Sequence, residues 1–163
     1  MVNIGAEQRF RRVQQAVERA HDYADKRDYR KAASALEQAS GMIPKSKKDP
    51  FYQAYTSLRS EIGVVASQVA EGLGAQYTKS YQQASEELRK LKTLPSIKAE
   101  DAKEAKKKIR YVENHVAQYT GGPAMPKEIT RPMKANAKTI AKLKTELEDL
   151  AVKNGVRLDW SKD

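Results

Sequence analysis

The sequence predicts an all-α fold: an antiparallel helical bundle of four to five helices, then a C-terminal amphipathic helix set off by a Gly/Pro linker. Three observations lead there. Apolar residues recur three and four positions apart through most of the chain, the spacing that gathers side chains on one helical face. Charged residues make up 32% of the 163 and aromatics only 7%, which suits long helices carrying one thin apolar stripe each. Prolines gather between the periodic segments, where they can stop helices.

The first helix is expected from about Ala6 to Lys26, with Phe10, Val13, Val17 and Ala20 on one face. A second runs from Tyr29 to Met42 on the stripe Ala32, Leu36 and Ala39, and Pro44 stops it. Only Lys26-Arg27-Asp28 joins them, so short a link that the two must be antiparallel neighbours. After a polar loop, Asp49-Pro50 reads as the start of a third helix, whose seam is Phe51, Tyr55, Leu58, Ile62, Val65 and Val69. Gly72 and Gly74 predict a break, because glycine is a poor helix former. A fourth segment, Gln76 to Leu94, carries Tyr77, Tyr81, Ala84, Leu88 and Leu91 and ends at Pro95. The fifth, about Ile97 to Tyr119, is lysine-rich around Ala102, Ala105, Ile109, Val112 and Val116.

Thr120-Gly121-Gly122-Pro123-Ala124-Met125-Pro126, together with Pro132, predicts a linker without helix. A last helix spans about Lys134 to Asn154 on Ile140, Leu143, Leu147 and Leu150, with Gly155 as a left-handed cap. The tail that follows holds the single tryptophan, Trp160, and either folds back on the bundle or serves as a docking peptide. The expected organisation is therefore a bundle over 1–119, a linker over 120–133, and a helix with its tail over 134–163.

A chain of this length can bury enough apolar surface to fold without metals or disulfides. It has no cysteine, which excludes a disulfide framework and a thiolate metal site. No apolar run approaches the roughly 20 residues of a membrane span, and the N-terminus has no signal pattern. The reading is a soluble protein that acts where it is made, by default in the cytoplasm.

Residues 13–46 carry a further pattern. Small Ala20 and aromatic Tyr23 fall in the first helix, Asp28-Tyr29 at the turn, and Ala32, Ala39 and Pro44 in and after the second. This resembles a single tetratricopeptide repeat, a hairpin of two antiparallel helices packed through small residues. Arg19 and Ala16 depart from the family pattern. No second repeat follows at thirty-four residues, and a partial echo, Tyr81, Ala84 and Leu88 with Pro95, comes fifty-two residues on instead. Other helical hairpin modules, such as the microtubule-interacting-and-transport type, use a similar alanine pattern. The resemblance implies a surface that holds partner peptides, although one repeat cannot form the groove of an array.

Catalytic chemistry finds no set of residues here. His21 and His115 lie on different helices without a recognisable partner set, and no Glu-x-x-His motif recurs along the chain, as a di-iron bundle site would need. No phosphate-binding glycine loop occurs. The sequence therefore predicts a non-enzyme without cofactor or metal. Its formal net charge of +10 rests on 31 basic against 21 acidic side chains. The densest basic stretch runs from Arg89 to Arg110 and includes Lys90, Lys92, Lys103, Lys106, Lys107 and Lys108. Such a stretch can neutralise phosphates in a salt-sensitive way.

The leading expectation is a protein–protein interaction or scaffolding module, a small basic subunit of a larger assembly. Its docking face would be Ile140, Leu143, Leu147 and Leu150, with Trp160 beside it. Two alternatives use the basic stretch: electrostatic nucleic-acid binding, and an extrinsic subunit that sits on an acidic or membrane-embedded complex.

Overall fold

The computed structural model describes residues 4–161. Among these it is all-helical, with five helices and no strand: α1 (Ile4–Asp25), α2 (Tyr29–Met42), α3 (Ala54–Lys92), α4 (Ala99–Ala117) and α5 (Lys127–Lys153). The chain divides into two compact units, Met1–Leu73 with Gly121–Pro132, and Gly74–Thr120 with Met133–Asp163.

In the first unit α1 and α2 form the expected hairpin. At the end of α1 the Asp28 amide donates to the Tyr23 carbonyl (2.8 Å) and the Arg27 amide to that of Ala24 (3.0 Å). This pair of hydrogen bonds to the last turn requires a left-handed residue between, and Arg27 supplies it at φ 62°. Asp28 then caps α2 by accepting from the Lys31 amide at 3.3 Å. Alanines fill the core of the pair: Ala16, Ala20 and Ala24 from α1, and Ala32, Ala33 and Ala39 from α2, all buried. Their small size lets the two backbones approach closely.

The first half of α3 runs parallel to α1. Phe10 stacks on Phe51 (4.9 Å between centroids) and meets Tyr55 edge-on, while further along Gln68 Nε2 donates to Asp25 Oδ1 at 3.5 Å. The third helix begins later than Asp49-Pro50 suggests. Asp49 Oδ1 instead accepts from the Phe51 amide (2.9 Å), a local turn that competes with helix, and regular helix starts at Ala54.

The break expected at Gly72 and Gly74 does not occur, and α3 is one helix of 39 residues. Gly72 is there for contact rather than for bending: a Cβ on it would overlap the ring carbons of Tyr29. The start of α5 is likewise different. It begins at Lys127, seven residues before the expected Lys134, and includes Pro132. The Pro126 carbonyl accepts from the amides of Ile129 and Thr130 (3.0 and 3.1 Å), which opens the helix. Proline at 132 deprives the Glu128 carbonyl of its donor, but both residues are exposed, so that carbonyl can be solvated. The non-helical stretch thus shrinks to residues 118–126, and within it Gly122 and Ala124 lie against α2. Gly122, at φ 95°, passes so near Glu37 that a Cβ would lie 2.9 Å from its carboxylate.

In the second unit the core comprises Tyr77, Leu88 and Leu91 of α3, Ile109, Val112 and Val116 of α4, and Met133, Ile140, Leu143 and Leu147 of α5. Asn154 ties this unit together. Its side chain accepts from the Ile97 amide (3.1 Å) and donates to the Leu150 carbonyl (2.8 Å), so the loop before α4 is fixed to the end of α5. Gly155 is the expected left-handed cap, at φ 66°.

Candidate interaction surfaces

The docking face expected on the last helix is interior. Ile140, Leu143 and Leu147 are at most 4% exposed, and Leu150 is half-buried. Apolar periodicity identifies a buried face correctly but does not say which surface covers it, and here the second unit's own core contains it. Trp160 folds back as well. Lys144 Nζ sits 4.7 Å from its ring centroid and pairs with Glu113 of α4 at 3.2 Å. Lys106, itself buried, donates to the carbonyl of neighbouring Asp159 at 2.8 Å. The tail is therefore pinned to its own unit.

The basic stretch is brought together in the second unit, but much of its charge is answered there. Arg89 pairs with Glu86 (2.5 Å), Lys90 and Lys108 both with Glu87 (3.4 and 3.2 Å), and Lys92 with Glu146 (3.6 Å). The Arg89 guanidinium, by hydrogen bonding, holds the Glu86 carboxyl below its ordinary range, and Lys108 does the same to Glu87. Lys106 is occupied by the tail, and Arg110 also has a partner. Lys103 and Lys107 are the exposed members of the set with no ion pair among the described residues. A second basic feature arises from spacing rather than density: Lys134, Lys138 and Lys142 share one exposed face of α5 and likewise pair with no acid there.

The surface that sequence reasoning missed lies in the first unit. Helices α1 and α3 leave between them a groove lined by Val17, Glu18, His21, Ser60, Glu61, Val64 and Val65. Val17 and Val65 form its floor at 3% and 2% exposure, whereas Val64 stands at 70%. The two glutamates are exposed, and His21 Nδ1 meets Asp25 at 3.1 Å at one end. Val64 falls one residue off the stripe Leu58, Ile62, Val65 and Val69, and that offset is the signal by which it could have been found.

His115 is half-buried beside Tyr119 (5.6 Å), its Nε2 has no hydrogen-bond partner among the described residues, and burial pushes its pKa down. No group of three or more potential metal ligands occurs among the described residues. No helix there is long and apolar enough to cross a membrane. Compared with known proteins, the chain matches no family model, no curated protein sequence and no solved structure.

Proposed function

We propose that this chain is a non-enzymatic protein–protein interaction module whose docking surface is the α1–α3 groove of the first unit. One observation carries the reading: Val64 is 70% exposed beside an apolar floor between α1 and α3. A single exposed valine is ordinary, but a valine that widens a concave apolar floor with a polar rim has the anatomy of a partner site. The α1–α2 hairpin, with alanines at its crossing, supports reading the first unit as a repeat-like scaffold for that groove. The test is co-purification of partners from the native source with the wild-type chain and with Val64→Asp. A partner retained by the wild type and lost from the variant, with helical circular dichroism unchanged, supports the reading. Equal retention by both ends it.

A second reading, electrostatic binding of nucleic acid, draws on one observation: the exposed, unpaired row Lys134, Lys138 and Lys142. A charge row at helical spacing is also the ordinary composition of a solvated face, so this reading stands second. It predicts that replacing the three lysines with glutamine reduces the salt dependence of DNA binding by about three phosphate contacts. Absence of binding even at low salt ends it.

A further inference from the structure

The rim of the groove runs against the charge of the chain. The protein carries 31 Lys and Arg against 21 Asp and Glu, yet the ionisable residues that line the groove are Glu18, Glu61 and His21. Asp25, paired with His21, continues the acidic wall at one end. Neither arginine nearest in sequence, Arg19 or Arg59, lines the groove. Arg59 sits over the Tyr52 ring (5.5 Å) and lines a separate hollow with Ser40 and Ile43, and Arg19 is not among the lining residues.

A groove with an apolar floor and carboxylates on both walls is complementary to one kind of occupant. It needs an apolar side to seat against Val17, Val64 and Val65, and cations on both flanks to meet Glu18 and Glu61. On a helix, residues at i, i+3 and i+4 supply the first and their neighbours the second. The lined part of α1 and α3 covers about one and a half turns, roughly 8 Å, so a short helix is enough to fill it. Resting on the proposed interaction function, we infer that the α1–α3 groove takes a basic amphipathic helix from a partner protein. The carboxylates set the sign of that partner and speed its approach, while the valines supply most of the holding energy.

The probe is a synthetic amphipathic helix of about 18 residues with a leucine stripe flanked by lysines, paired with a twin in which each lysine is glutamate. Each is titrated into the full chain, with backbone amide shifts recorded. The lysine peptide is expected to bind, to move the signals of Val17, Glu18, Glu61 and Val64 first, and to weaken as salt rises from about 50 to about 300 mM. The variant Glu18→Lys/Glu61→Lys, both sites being exposed, should bind it roughly tenfold or more weakly. Equal binding of the two peptides, no binding of the lysine peptide, or shifts that map elsewhere overturns the inference. So does a concentration-dependent dimer abolished by Glu18→Lys/Glu61→Lys, which would make a second copy the occupant. The two readings fail separately: if Val64→Asp loses its natural partner while peptide charge has no effect, the docking function stands and only the basic partner is refuted.

Discussion

The phenol ring of Tyr29, the first residue of α2, lies over Gly72 of α3 where any Cβ would overlap it. This contact explains how a helix with two glycines stays whole. The backbone entropy that glycine costs, about 1 kcal/mol relative to alanine, is offset by ring packing that no other residue permits. Gly72→Ala is therefore expected to destabilise the protein by about 1–2 kcal/mol, because overpacking outweighs the gain in helix propensity. In a Tyr29→Ala background the sign should reverse, and the same substitution should stabilise by up to about 1 kcal/mol. Urea unfolding of the four proteins of the cycle measures both. A destabilising Gly72→Ala in both backgrounds would contradict the contact.

Arg27 and Gly155 close α1 and α5 with the same cap, at φ 62° and 66°. A left-handed conformation costs a residue with a Cβ roughly 1 kcal/mol, and glycine nothing. Arg27→Gly should therefore raise stability and Gly155→Ala lower it, each by about 1 kcal/mol. Thermal unfolding of the two variants checks the opposite signs.

Tyr55 is fully buried against Phe10, and its hydroxyl has no hydrogen-bond partner among the described residues. Burial also pushes its pKa up. A stranded hydroxyl costs about 1–3 kcal/mol of lost hydration. Tyr55→Phe keeps the ring contacts and should stabilise the protein by about 1 kcal/mol. A loss of stability would mean that the hydroxyl is satisfied.

His115 makes folding depend on pH. Burial lowers its pKa in the folded state, so below the ordinary value of 6.5 the unfolded chain binds the proton more readily. The folded state therefore keeps its full stability above that value. It loses stability as pH falls from about 6.5 toward the lowered folded value. His115→Gln should flatten this slope. Urea midpoints for both proteins across mildly acidic pH decide it, and parallel slopes would contradict the assignment.

Much of the fold is legible in residue spacing. The stripes Val13, Val17, Ala20 and Ile140, Leu143, Leu147 are buried as their periodicity requires, and Pro44 and Pro95 stand where helices have ended. The missed features depend on distant partners. Gly72 reads as a helix breaker because Tyr29 is forty-three residues away. Pro132 hides the first turn of α5, although Ile129 and Met133 already carry its apolar seam, since tolerance of a proline rests on whether the orphaned carbonyl is exposed. The candidate site was less legible than the fold. Glu86 and Glu87 stand one turn before Arg89 and Lys90 and are readable as their partners, but the sequence does not show that Glu87 also meets Lys108 or that Glu146 meets Lys92. The groove appears only when α1 and α3 lie side by side.

The central claim is that the groove at Val64 holds a protein partner. The most direct test is calorimetric titration of the partner captured by the wild-type chain into the wild type and into Val64→Asp. Placing a carboxylate beside the apolar floor, at an exposed position, should weaken binding by roughly tenfold or more, with the unfolding midpoint of the free chain nearly unchanged. Identical affinities for the two proteins would contradict it.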